Sequence, residues 1–388
     1  MQARSIKGNN SEEISLELER LTAAGYQPTV AVVFISIRQD RNVVCELVRQ
    51  ADIDVIGATS CGEFIDGYQG KGSIVILLMD LPRDSYAVLY EEIGPNTLSE
   101  AATMLSRSAL QKFDRPAFIL CSTGFSKEAE YLDGEVLIRT IEKEVGSAVN
   151  ICGGMAGDDG TFTGTYIFTH GKETDRGIIA LVLDEDKITV QGMAISGWKP
   201  LGISRTITKS KNNLVFTIDG QPAPEMYLRF LGEESMSLDE NVDIMERIGV
   251  HYPFILNREV GEPVLRTPMS IDKEQNALVC DLDMPEGGTI HFSMPPDFDI
   301  VDKIVAEASG IKNNLLFDAE ALLIFSCAGR VQVLGPLANA ENEGLYNVWG
   351  KPMAGFFTYG EYGKTMNGRP EFHSGTNSWV AIQEKKNK

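Results

Sequence analysis

Several things are missing from this sequence, and each absence narrows what the protein does. Apolar stretches such as Ile74–Met79 and Ala321–Phe325 fall far short of the roughly 20 residues that a helix needs to cross a bilayer, and Met1–Asn10 is polar. Neither membrane insertion nor secretion is indicated. Basic residues are scarce: 35 Lys and Arg stand against 55 Asp and Glu, a formal charge of −20. Such a field repels phosphate backbones and anionic lipid, so neither nucleic acid nor membrane is an expected partner. No GxxxxGK[ST] is present and no GxGxxG follows the first strand, so no known loop cradles a nucleotide. With four histidines in separate segments and no HExxH or CxxCH, a preformed zinc site and covalent haem are not supported. The six cysteines, Cys45, Cys61, Cys121, Cys152, Cys280 and Cys327, form no CxxC pair and mostly sit in apolar runs. Buried reduced thiols and a cytoplasmic setting are expected.

What is present is a globular α/β pattern, 43% hydrophobic, over a length that suggests two domains. Asn10 with Glu13 reads as a helix start, followed by Ile14, Leu18 and Leu21 on one face. Thr29–Ile37 reads as a strand covered on both faces, and Val43, Val44, Leu47 and Val48 as the next helical stripe. Asp54–Ser60, Ser73–Asp80 and Ser85–Glu91 read as strands, the last two paired antiparallel, before a helix opened by Thr97 and Glu100.

This order recurs. Ala117–Ser122, a helix through Leu137, Ile138, Ile141 and Val145, and Val149–Asp158 repeat it, with strands at Gly164–Thr169 and Gly177–Leu183. Near the C-terminus come the strand Ala321–Cys327, a helix-like stretch Met353–Glu361 and a strand within Glu371–Ile382. Pro224 opens a helix closed by Gly232, with further helices over Asp239–Ile248 and Asp297–Ala308. The expected fold is layered α/β: mixed, largely antiparallel sheets flanked by helices, internally repeated, in two lobes, residues 1–219 and 220–388.

Each repeat carries a glycine before a carboxylate at a strand end: Gly62-Glu63, Gly157-Asp158 and Gly360-Glu361. As isolated turns these are unremarkable; as three copies at one topological position they suggest a shared device. Ser60 lies in no nucleophile-elbow spacing, and Cys61 is either an exposed thiol or one packed beneath its turn. Arg330 follows a strand end with a flexible turn, placed either to take a ligand carboxylate in two parallel hydrogen bonds or to form an inter-domain salt bridge. Trp198 either walls a pocket or packs at the interface.

Gly57-Ala-Thr-Ser-Cys-Gly-Glu63, Gly153-Gly-Met-Ala-Gly-Asp158, the strand 192–197, Phe325-Ser-Cys-Ala-Gly-Arg330, Gly355-Phe-Phe-Thr-Tyr-Gly-Glu361, and Phe372-His373 with Thr376 together resemble the signatures of the FIST domain, from about residue 28 to 383. The resemblance implies a bacterial sensory input module that binds a small ligand such as an amino acid. It leaves no room for an output segment, so a separate signalling partner such as a kinase or cyclase is expected. Its signature positions here are Ser60, Gly62 and Glu63; Gly154, Gly157 and Asp158; Arg330; Tyr359, Gly360 and Glu361; and His373 with Thr376, and Cys61, between Ser60 and Gly62, is a further candidate ligand contact. Strand-end carboxylates would receive an ammonium group, and Arg330 a carboxylate. No cofactor is expected under this reading and no catalysis. Noncovalent haem on His373, which some relatives suggest, is one alternative, and an enzyme using Cys61 or paired acids another.

Overall fold

The computed structural model describes residues 1–94, 96–232, 248–258, 261–314, 318–365 and 368–386. Three copies of one unit account for most of the described chain. The first runs β1 (Ala3–Gly8), α1 (Ser11–Ala23), β2 (Val30–Ser36), α2 (Arg41–Gln50), β3 (Asp54–Ser60), the short hairpin β4 (Glu63–Ile65) and β5 (Tyr68–Gly70), and β6 (Ile74–Met79). The second repeats it as β7 (Tyr86–Glu92), α3 (Leu98–Lys112), β8 (Pro116–Ser122), α4 (Gly134–Val145), β9 (Ile151–Met155), hairpin β10 (Ile167–Thr169) and β11 (Lys172–Thr174), and β12 (Gly177–Asp184).

The third begins with β13 (Ile188–Ile195) and is interrupted by a separate sheet: β14 (Lys199–Lys211), β15 (Leu214–Ile218), β16 (Gln221–Pro222), β17 (Phe254–Leu256), β18 (Val264–Arg266), β19 (Pro268–Asp272), β20 (Ala277–Cys280) and β21 (Thr289–Met294), with α5 (Ala223–Leu231). It resumes with α6 (Ile300–Asn314), β22 (Ala321–Cys327), α7 (Ala328–Leu334), α8 (Pro336–Trp349), β23 (Met353–Thr358), hairpin β24 (Glu361–Gly363) and β25 (Glu371–His373), and β26 (Asn377–Glu384). Met353–Glu361 is therefore strand and corner, not helix; its Ala-Gly-Phe-Phe run has no apolar stripe, and Met353–Thr358 is buried at every position. The helix expected over Asp239–Ile248 lies, apart from Ile248, outside the described residues.

Each unit's hairpin leaves its own sheet. The sheet orders are β1-β6-β2-β3-β10-β11, β7-β12-β8-β9-β24-β25 and β13-β26-β22-β23-β4-β5, so the hairpins are passed on in a cycle. A boundary near residue 220 divides the sequence but not the sheets. Contrary to the antiparallel pairing expected from their short connection, β6 and β7 do not pair; the connection crosses between two sheets, with Tyr86 Oη donating to Thr29 O.

An aromatic facing a glycine recurs at each exchange: Phe64 opposite Gly355, Tyr362 opposite Gly153 and Phe168 opposite Gly57. A Cβ on Gly57 or Gly355 would come within 2.1 or 2.0 Å of the facing ring. These pairs fix the register of three-residue strands that have little else to hold them.

The unbroken apolar strands follow from burial on both faces. Val30, Val32 and Phe34 from the first sheet, Ile119 and Cys121 from the second, and Leu323 and Phe325 from the third meet in one central core. The alternate residues Ala31, Val33 and Ile35 face α1 and α2, with equivalent helix layers over the other two sheets. Thr97 with Glu100 makes the full capping box, whereas Asn10 accepts from Glu13 N but the Glu13 side chain takes the Asn9 amide instead of closing the capping box that Asn10 and Glu13 suggest.

Candidate functional site

The parallel strands β3, β9 and β23 all end at the same place, and their corners are joined in a closed ring of backbone hydrogen bonds. Gly157 N donates to Thr59 O (2.8 Å) and Asp159 N to Ser60 O (2.8 Å); Cys61 N donates to Phe357 O (2.9 Å) and Phe357 N to Gly62 O (2.8 Å); Met155 N donates to Gly360 O (2.8 Å). The corners thus converge, as the repeat suggested, and they come from both halves of the sequence.

Two of them are the same knot. Glu63 and Glu361 are fully buried. Glu63 takes the Ser60 hydroxyl on one oxygen, and the Ser73 amide (3.0 Å) and hydroxyl (2.8 Å) on the other. Glu361 takes Thr358 on one oxygen, and the Thr376 amide (3.0 Å) and hydroxyl (2.9 Å) on the other. Burial pushes both carboxyls up, Glu361 to about 7, against these hydrogen bonds.

The second unit departs from this pattern. Phe64 lies four positions after Ser60 and Tyr362 four after Thr358, but Phe168 lies twelve after Ala156, the residue aligned with them by strand pairing. Ile167 occupies the glutamate position, and Arg176 replaces Ser73 and Thr376. Asp158 is therefore not the equivalent of Glu63 and Glu361; it belongs to an insertion. Its carboxylate receives the Tyr359 hydroxyl (2.5 Å), the amides of Thr163 (2.6 Å) and Gly164 (3.3 Å), and the Thr161 hydroxyl (3.0 Å).

The insertion runs over the ring of corners and gives it an aromatic rim, the mouth. Phe162 projects from it, 61% exposed and with φ +54°, a conformation that non-glycine residues seldom adopt. Its ring stacks on Tyr359 (5.3 Å) and Phe125 (5.7 Å), and Phe125 stacks in turn on Tyr131, itself 58% exposed. Beneath the rings, the Cys61 sulfur faces the Tyr359 hydroxyl and the amides of Asp158 and Gly160, and burial pushes its thiol up to about 11. Gly157 permits this approach: a Cβ there would lie 2.5 Å from Cys61 Sγ. The mouth accordingly presents the exposed rings of Phe162 and Tyr131, with the Asp158 carboxylate and the Cys61 thiol buried beneath them.

Other expected residues lie away from this mouth or are engaged. Arg330 sits in α7, not in a flexible turn, and is fully buried; its Nε meets Glu341 at 3.0 Å, Nη2 also binds Glu341, and Nη1 donates to Ser196 O and Gly375 O. Of the two readings of Arg330, the observed arrangement is an ion pair, formed inside the third unit because α7 and α8 pack together. His373 is buried, its Nε2 is 3.2 Å from Gly363 O, and burial pushes it down to about 4. Gly154 pairs with Glu361 in the β9–β24 ladder. Trp198 packs with Ile255 and Leu265 and donates to His251 O. All six cysteines are free and buried.

Phe125, Tyr131 and Phe162 escaped the sequence reading because no periodicity marks them. The available signal was the Gly160-Thr-Phe-Thr-Gly164 loop, in which a large apolar residue sits between turn formers.

No curated protein matched the chain. Family models did match: the FIST N domain over residues 29–221 and the FIST C domain over 223–364. FIST domains are associated with signal-transduction sensing and small-ligand binding. Among the described residues, no helix is long and apolar enough to cross a membrane. Since the two matches cover most of its length, the chain belongs to the FIST family.

Proposed function

We propose that this protein is a noncatalytic sensory module which holds a small polar metabolite, such as an amino acid, in the mouth over the three corners and signals through a separate partner in the cytoplasm. The observation that carries this reading is the broken repeat: the second corner alone replaces the knot with an insertion, and the insertion brings a strained, exposed phenylalanine to the point where all three units meet. Strain retained at such a junction points to use. The rim of Tyr131, Phe125 and Phe162 would receive a cationic or apolar part of the molecule on its ring faces, with the buried Asp158 carboxylate adding negative charge beneath them. Because the ring joins both halves, a ligand seated there touches both and biases their packing.

The noncatalytic reading follows from Cys61. A thiol pushed up to about 11 is protonated at neutral pH, and the Asp158 carboxylate near it is already taken by the Tyr359 and Thr161 hydroxyls and the amides of Thr163 and Gly164. Haem does not fit at His373: the ring is enclosed and its Nε2 is held by a backbone carbonyl.

The test is a thermal-shift screen of amino acids and related metabolites, followed by calorimetry. The expected result is a ligand whose affinity falls at least about tenfold in Asp158→Asn and Phe162→Ala but not in Arg330→Lys. Unchanged affinity in both mouth variants would remove the mouth from the reading.

A further inference from the structure

A cleft of about 830 Å³ lies apart from the mouth, between α4 of the second unit and the inserted sheet. Its wall carries Arg139, Arg258, Arg266, Arg369 and Lys211. Against these five cations stand three carboxylates, Glu135, Asp283 and Glu286. Glu371, Glu142 and Asp281 stand beside this wall, so what sets the cleft apart is its concentration of guanidiniums.

Glu135 does most of the neutralising. Its two oxygens are shared by Arg139 (2.5 Å), Arg266 (2.6 Å) and Arg258. Two oxygens do not saturate three guanidiniums. Arg266 is fully buried, yet among the described residues its Nε has no acceptor, and the buried Nε of Arg258 has none either. A buried charged donor without a partner is costly. Neighbouring acids do not fill the gap: Glu371, close enough to feel Arg258 and Arg266, leaves its own Oε2 unpartnered, and Glu142 lies 3.7 Å from Arg369. In this arrangement the Nε donors of Arg258 and Arg266 are left unmatched, and guanidinium forks are matched by carboxylate and phosphate oxygens.

We propose that this cleft is a second binding site, for a small organic polyanion carrying two or more carboxylate or phosphate groups, which engages Arg258, Arg266 and Arg369 in competition with Glu135. Glu135 belongs to the first half of the sequence, and Arg258 and Arg266 to the second. An anion that takes over these arginines loosens one tie between the halves, which gives the sensor an input independent of the mouth.

Citrate and inorganic pyrophosphate serve as probes for calorimetry on the full chain. Saturable binding of at least one is expected, weakened about tenfold or more by Arg258→Gln and by Arg369→Gln, tightened by Glu135→Gln, and untouched by Phe162→Ala. Citrate alone would assign carboxylates and pyrophosphate alone phosphates, and either supports the site. Arg369 is 41% exposed on its side chain, so its variant keeps the test valid if loss of Arg258 unfolds the protein. No saturation by either probe up to about 10 mM, or binding indifferent to Arg369→Gln, overturns the proposal. The mouth reading survives either failure, since Phe162 and Asp158 take no part here.

Discussion

In the first and third units a glutamate is held by a hydroxyl three positions before it and by the hydroxyl and amide of the residue preceding the last strand; in the second unit isoleucine, alanine and arginine occupy those positions. The same fold therefore carries two closed corners and one open one. The closed corners teach what the device is for: a buried carboxylate that ties a corner to the far end of its own unit. The open corner shows what is gained when that tie is released, since the freed chain length becomes the rim of the mouth. Breaking a closed corner should produce the largest effect. Glu63→Ala or Glu361→Ala leaves two hydroxyls and an amide buried without their acceptor, a loss of roughly 3–9 kcal/mol at about 1–3 for each group. Urea unfolding of each variant measures this, and a loss under about 1 kcal/mol would show that the knots hold nothing.

Glu361 sharpens the comparison through pH. Its carboxyl is raised by burial from 4.5 to about 7, so the folded state binds the proton more tightly than the unfolded chain does. Stability from this group is complete below pH 4.5 and is lost as pH rises to about 7, by at most about 3 kcal/mol. His373 works in the opposite direction: depressed by burial from 6.5 to about 4, it contributes stability above pH 6.5 that is lost as pH falls toward 4. Because His373 is common to both proteins, the stability of wild type minus that of Glu361→Gln should fall between pH 4.5 and 7 and stay level above. A flat difference across that window would mean that Glu361 is ionised throughout.

Much of this architecture was legible because local chemistry and global fold agree. Asn10, Thr97 and Pro224 start helices where their side chains and φ preferences place them, and strands such as Val30–Ser36 declare themselves by β-branched runs buried on both faces. What was not legible is nonlocal. Nothing in Glu63-Phe-Ile65 says that it pairs with Phe356 in another unit, since three residues carry no register of their own. The same blindness aligned Asp158 with the glutamates: Gly-Asp looks like Gly-Glu until Phe168 is seen opposite Gly57, which moves the count by eight positions. Arg330 was misplaced because Ala328-Gly329 reads as a turn, while its partner Glu341 lies on the next helix.

The smallest effect on stability is expected at the residue most exposed to function. Phe162→Gly removes a ring that stacks on Tyr359 and Phe125, a loss of about 0.5–1.5 kcal/mol for each aromatic contact, and it relieves a left-handed backbone that costs a phenylalanine about 1–3 kcal/mol. These terms oppose each other, so the midpoint of urea unfolding should barely move. In a ligand-binding rim that near-cancellation is the expected state, because the ring is held in an unfavourable conformation for a partner outside the chain. If Phe162→Gly instead costs as much as Glu361→Ala, the ring is a structural plug, the second corner is as closed as the other two, and the contrast between them disappears.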